Sequence, residues 1–489
     1  MASNSAVSTA TSKQISLRVI LDKEKNTVLY AEAGKDFVDV LLSFLTLPLG
    51  TSARLVDKDS NMKPLRLGCI SSLYQSLANL EPKYWNSETC KQMLLQPRSP
   101  MERFNQRLKL NIDDTEPTKF YACEMSHCRR KSEVLLVSTF NNIKCKCGKN
   151  LIHVLDFDNT ISADYAGEGY VQEASFVVYD NLHVMPLNLT TTLGLVKSLR
   201  KVKIEDFTVN ITNPKEVIDL LKCSLVSNTV LTDSLLRRKQ SIENPKATLM
   251  ISEKHGREDS RMKLNIVIEK SKCKVLFAIV DEDFMDQLLS FLTIPLGAVE
   301  RVLGGNSGLG CIDKLYNSLS TFNKSTDFMS GKNMFDDLKL APLYNLKKQM
   351  LPISGVTYPS SICLYYYPNV NNPSSTCYLT QGGIYRPVGT CVAVKLWDPK
   401  DPSMSESSNG YLKRSTMFMV ADDLSAKPFS SGLVASFLNA SNVCDHDLEE
   451  RTICVGVQEV LNILKASLSC TSALTVGLAP FSTNTLLKK

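Results

Sequence analysis

At 489 residues, 43% hydrophobic and 22% charged, the chain is too long for one ordinary core and too apolar for a disordered one, so two or more folded domains are expected. A net charge of +6 is small for this length and singles out no acidic partner. The 15 cysteines, an odd number scattered through ordinary sequence, suit reduced thiols in the cytoplasm or nucleus better than a disulfide framework.

Residues 1–14 read as a disordered polar tail. It lacks the basic cluster and apolar stretch of a secretory signal, so secretion is not expected. No apolar run is long enough to cross a bilayer, so no membrane association is expected. Leu17, Val19 and Leu21 alternate as in a strand, residues 22–26 form a polar turn, and residues 28–31 return. A helix follows, with Asp36, Asp39 and Ser43 on one face and Phe37, Leu41, Phe44 and Leu45 on the other; Pro48 and Gly50 stop it. Acids in its first turn offset the helix dipole and can cap free amides, so Asp36 and Asp39 read as structural.

Residues 121–150 hold a candidate zinc-binding hairpin: Cys123 and Cys128, a strand-like stretch at 134–137, then Cys145 and Cys147 followed by Gly148. Two close pairs of thiolates separated by such an insert can wrap one tetrahedral zinc, and four sulfur ligands would make the site closed and structural. His127 is a substitute ligand. The pairs have four and one intervening residues where ribbons have two, so four reduced thiols in a loop-rich hairpin is the competing reading.

Next comes Val154-Leu155-Asp156-Phe157-Asp158-Asn159-Thr160, which resembles the first motif of haloacid-dehalogenase-type phosphatases. That likeness implies Asp156 as nucleophile and Asp158 as acid/base beside Mg²⁺. Against it, residues 163–168 carry Gly and acids instead of a helix, and no alternating strand-helix series follows. A polar turn after a short strand is the alternative.

Residues 237–262 are highly charged and read as a linker. Beyond it the chain repeats itself. Residues 36–50 return as 283–297, mostly identical, after the same strand-turn-strand at 264–279. Gly68-Cys69-Ile70 returns as Gly310-Cys311-Ile312, Gly169-Tyr170-Val171 as Gly410-Tyr411-Leu412, and residues 215–222 as 458–465. A fainter likeness of 216–221 to 36–41 leaves open whether each copy holds two strand-strand-helix units. We therefore expect an α+β protein of two homologous lobes, 15–236 and 263–484, each of small, mainly antiparallel sheets with packed helices.

The repeat is also a control on chemistry. The second copy replaces the cysteine pairs with a Tyr365-Tyr366-Tyr367 run and widely spaced Cys363, Cys377 and Cys391, and it lacks the Asp156/Asp158 pair. The glycine-rich stretch 303–310 resembles a phosphate cradle but has no Lys-Ser/Thr, so it reads as a surface loop. The five histidines show no pairing with a nucleophile, and Cys69, Cys223, Cys273, Cys311 and Cys454 read as small core residues. Basic clusters at 129–131, 200–203 and 237–239 are short and read as solvated surface.

The repeated helix with its Leu-Thr-x-Pro-Leu-Gly ending, followed by Gly-Cys-Ile and Leu-Tyr, resembles the plant family catalogued as domain of unknown function 674. The resemblance covers nearly the whole chain outside the tail and linker. It implies a plant protein and brings no activity or catalytic residue. The expectation is a non-enzymatic scaffold or interaction protein with a protein partner and a structural zinc in its first lobe. A Mg²⁺-dependent phosphatase and a zinc-supported nucleic-acid binder are the alternatives.

Overall fold

Apolar alternation produces sixteen strands among the described residues of this computed structural model, which are 14–58, 60–131, 134–141, 143–157, 169–172, 174–200, 202–236, 261–323, 327–329, 333–355, 362–366, 377–381, 390–401 and 410–483. Before the charged segment come β1 (Ile15–Asp22), β2 (Thr27–Gly34), β3 (Phe120–Cys123), β4 (Val134–Ser138), β5 (Leu151–Phe157), β6 (Ser175–Tyr179), β7 (Val184–Pro186) and β8 (Ile204–Ile211). After it come β9 (Met262–Glu269), β10 (Lys274–Val280), β11 (Ile362–Tyr366), β12 (Cys377–Gln381), β13 (Thr390–Leu396), β14 (Phe418–Ala421), β15 (Ala426–Pro428) and β16 (Leu448–Val455).

One antiparallel sheet has the order β7-β6-β2-β1-β8 and another the order β15-β14-β10-β9-β16, the same pattern eight strands later. The turns of the leading hairpins use a left-handed residue at matching places, Asn26 (φ 51°) and Cys273 (φ 49°). The third sheet is a closed barrel, β11-β12-β5-β3-β4-β13. Within each half its strands pair antiparallel, and the halves join through two parallel seams, β5 with β12 and β4 with β13. The architecture is thus α+β, with three small sheets among the described residues, one of them built from both halves of the chain.

The repeated segment meets itself at the centre. Leu49 N–H donates to Ile294 O at 2.9 Å, and Leu296 N–H donates to Leu47 O at 2.9 Å. A Cβ on Gly50 would lie 3.0 Å from Leu292 O, and one on Gly297 would lie 3.1 Å from Leu45 O. The glycine in each Pro-Leu-Gly therefore admits the backbone of the other copy. It does not end the first helix as expected: helix Lys35–Phe44 stops earlier, and Pro48 and Pro295 each precede a new helix that contains the glycine. Helix Lys35–Phe44 is also buried from Phe37 to its end, Asp39 and Ser43 included, so of the expected polar face only Asp36 in the first turn meets solvent.

Helices are exchanged across the expected lobe boundary as well. Helix Gly68–Asn79 packs on helix Val457–Ser469 of the other half, and helix Cys311–Ser318 packs on helix Pro214–Val226. The Cys69 thiol donates to Cys470 O at 3.0 Å, and the Cys311 thiol donates to Ser227 O at 3.0 Å. One hydrophobic cluster runs from Ile15 to Leu478 as a result. Among the described residues no helix is long and apolar enough to cross a membrane.

Candidate metal centre

Among the described residues, a cluster of metal-ligating side chains forms at one end of the barrel. Cys123 closes β3, and the short helix Ser126–Lys131 that follows carries Cys128. The register of β3 on β5 sets Cys123 opposite Leu151, which brings the tight hairpin preceding β5 alongside. In that hairpin Cys145 N–H donates to Lys149 O at 2.7 Å and Gly148 N–H donates to Cys145 O at 2.9 Å. Gly148 takes φ 83°, which a side chain would resist, and so turns the chain back after Cys147.

The four Sγ atoms of Cys123, Cys128, Cys145 and Cys147 all lie within 4.8 Å of one another, with Cys123 and Cys147 3.6 Å apart. A tetrahedral zinc with bonds of about 2.3 Å separates its sulfurs by about 3.8 Å, so the four thiols are spaced to hold a metal ion. The donor set is all sulfur, which favours zinc over hard cations. Burial pushes the Cys123 thiol up to about 12 against the pull of the Met125 amide. The Lys149 amide draws exposed Cys147 down to about 7. A dication among them would deprotonate the whole set.

The surroundings match that charge. Four thiolates around Zn²⁺ leave two negative charges, and Lys144, Lys146 and Lys149 flank the second pair in sequence. Arg129 hydrogen-bonds the carbonyls of Cys123 and Glu124 and so braces the first turn. His127 Nε2 lies 3.5 Å from Cys128 Sγ, as an outer partner of that sulfur.

The sequence profile described as "Protein of unknown function (DUF674)" matches residues 11–458. The chain belongs to that family. No curated protein and no solved structure gives a significant match. The family description supplies no activity, so chemistry in this member must be read from its own residues.

Asp156 lies on β5, between β3 (antiparallel) and β12 (parallel) in the closed barrel. The phosphatase likeness implies an open parallel sheet, so the backbone context differs; Asp158 lies outside the described residues. The glycine-rich loop is not open to phosphate. Ser307 N–H donates to Asp313 Oδ1 at 3.0 Å and Gly308 N–H donates to Asp313 Oδ2 at 3.3 Å, so the chain's own carboxylate fills the cradle. Ser307 Oγ also donates to Glu300, which is fully buried and whose Oε2 meets no donor among the described residues.

Burial, then the Asp313 charge, raises the Glu300 carboxyl well above 4.5. A raised folded-state value means that stability falls as pH climbs past the ordinary carboxyl range. Glu300→Gln keeps an acceptor for Ser307 and cannot ionise. It is expected to melt a few degrees higher at pH 7, with the gain shrinking towards pH 4. A lower melting temperature at pH 7 in calorimetry would show instead that ionised Glu300 stabilises the loop.

The repeated acids do not cap their own helices. Asp39 Oδ1 accepts from Tyr170 N–H at 2.7 Å and Val171 N–H at 3.0 Å, and Asp286 accepts from Tyr411 and Leu412 in the same way. Only Asp36 and Asp283 face solvent, paired with Lys109 and Lys348. Cys69, Cys223 and Cys311 are buried as expected, but Cys273 and Cys454 are exposed. The first sits in a hairpin turn and the second on the outward alternation of β16, whose neighbours Ile453 and Val455 point inward. Of the basic clusters, 237–239 lies outside the described residues, and Lys203 is an exposed partner of Glu24.

Proposed function

We propose that the chain is a non-enzymatic interaction protein whose first half carries a structural zinc held by Cys123, Cys128, Cys145 and Cys147. The observation that carries the metal reading is the convergence of four sulfurs within 4.8 Å from two turns that the β3–β5 register brings together. Four protein ligands leave no open position, and a closed site supports structure in preference to catalysis.

The non-enzymatic reading is supported by how the repeated polar residues are spent. Asp39 and Asp286 hold loop amides. Asp180 and Asp422 each accept from the amide and hydroxyl of a threonine, Thr232 and Thr475. Those hydroxyls accept in turn from Val28 N–H and Val275 N–H, at the starts of the returning strands. The shared strand order of the two antiparallel sheets supports a duplicated unit whose common features serve the fold. A zinc-stiffened turn at the end of a barrel would offer a protein partner a rigid, cation-flanked edge.

The test is metal analysis of protein purified without chelator. About one zinc per chain is expected, falling to near zero in the Cys145→Ser/Cys147→Ser double variant. Both five-stranded sheets should survive the loss, because the cluster lies outside the main core. Metal-free native protein would refute the zinc centre, and phosphate release that depends on Asp156 would refute the non-enzymatic reading.

A further inference from the structure

A second site, apart from the cysteine cluster, lies where the barrel meets the centre of the molecule. A cleft of about 480 Å³ opens between the segment around Glu102–Asn105, the ends of β3 and β4, and residues 341–344 of the other half. That volume is in the range of small-molecule sites. Among the described residues its charged lining is Arg98, Arg103, Arg107 and one carboxylate, Glu102.

Glu102 is already engaged. Both its oxygens accept from Thr118, one from the amide and one from the hydroxyl, and Gln106 adds a third bond at 2.9 Å. Arg98 is held in place by neutral groups. Its Nη1 donates to Thr118 Oγ1 at 2.9 Å, its Nη2 reaches Thr139 O at 3.4 Å, and its guanidinium lies 5.3 Å from the Phe140 ring centre. Its backbone N–H donates to Tyr344 Oη at 3.2 Å. Arg98 makes no ion pair among the described residues, although it is half-buried. A partly desolvated cation fixed by a hydroxyl, a carbonyl and a ring has its geometry set and its charge unanswered. Arg103 and Arg107, four residues apart on the adjoining turn, add charge at the mouth.

We propose that this cleft binds a small organic anion, its phosphate or carboxylate taken by Arg98 with Arg103 and Arg107 and its flat ring set against Phe140 and Tyr344. Guanidiniums match the planar, two-pronged geometry of both oxyanions. Aromatic walls favour a ring over an aliphatic chain. The site draws on both halves of the chain, because Tyr344 comes from the second and the arginines from the first. None of the arginines belongs to a basic run, which is why composition does not reveal them.

Calorimetric titration of the full chain tests this with adenosine 5′-monophosphate, 4-hydroxybenzoate and uncharged adenosine as probes. At least one of the two anions should bind with Kd below about 1 mM, weakening as salt is added, and adenosine should bind at least about tenfold more weakly. Which anion binds assigns the ligand as phosphate or carboxylate. Arg98→Gln should weaken binding about tenfold or more. Because Arg98 also ties Thr118 to Thr139, exposed Arg107→Gln is the second variant and should cost about threefold with the fold intact. The proposal is overturned if neither anion binds at about 5 mM, if adenosine binds as well as its monophosphate, or if Arg107→Gln and a folded Arg98→Gln both leave affinity unchanged.

Discussion

Gly68→Ala is expected to destabilise the chain by about 3 kcal/mol or more, whereas Gly34→Ala should change stability by less than about 1 kcal/mol. Gly68 has φ +44°, and a left-handed conformation costs an L-residue about 1–2 kcal/mol. Its added Cβ would also lie 2.4 Å from Ser467 O and 2.9 Å from Leu468 O. Both are backbone atoms at the end of helix Val457–Ser469, so neither can rotate away, and overpacking adds about 1–3 kcal/mol. Gly34 has φ −83° and nothing within 4 Å of its added Cβ. Gly310 should fall between them, because φ is +54° but the nearest atom, Ser227 O, stands at 3.1 Å. Urea unfolding of the three variants gives the order. Equal costs at Gly68 and Gly34 would mean that the exchanged helices are not docked as described.

Local pattern carried much of this fold. The β1–β2 and β9–β10 hairpins were legible because period-two alternation and a polar turn are encoded within a few residues of each other. The cysteine cluster was half legible: spacing proposed the four ligands, but only the β3–β5 register brings the pairs together. What escaped the sequence is long-range. Asp39 looked like a helix-end acid because its helix was visible, while its true partners lie 131 and 132 positions away. The barrel hid for the same reason, since each of its parallel seams pairs strands from opposite halves. The arginine cleft left one weak signal, Arg103 and Arg107 at helical spacing around Phe104, which a search for contiguous basic runs passes over. Repetition helped in a different way. The glycines of Gly-Tyr-Val and Gly-Tyr-Leu recur because a Cβ at Gly169 or Gly410 would lie 1.9 Å from the carboxylate of Asp39 or Asp286.

That carboxylate-loop contact gives the other large effect, and the two halves differ in how they balance it. Asp286→Ala should cost about 3 kcal/mol or more, and Asp286→Asn much less. Asp286 Oδ1 accepts from Tyr411 N–H at 3.1 Å and Leu412 N–H at 3.3 Å, and the residue is 3% exposed. Removing the acceptor strands two buried amides at about 1–3 kcal/mol each, whereas Asn still offers an oxygen. Burial raises Asp39 as well, but there Lys35 pairs with the carboxylate and, with the two loop amides, pulls against the shift. Glu282 stands where Lys35 would be in the second half, and burial carries Asp286 well above 3.8 despite its two amides.

The native state therefore keeps a proton on Asp286 at pH values where the unfolded chain has lost it. The stability this group contributes is full below about pH 4 and declines as pH rises towards its folded-state value. Asp286→Asn should remove that part of the decline. Glu282→Lys, by restoring the counter-charge of the first half, should reduce it and stabilise the protein most near pH 7. Urea midpoints at pH 4, 5.5 and 7 separate these outcomes. If wild type and Asp286→Asn keep the same slope with pH, or if Asp286→Ala unfolds with the wild-type midpoint, the carboxyl does not anchor the Gly-Tyr-Leu loop and the shared aspartate needs another explanation in both halves.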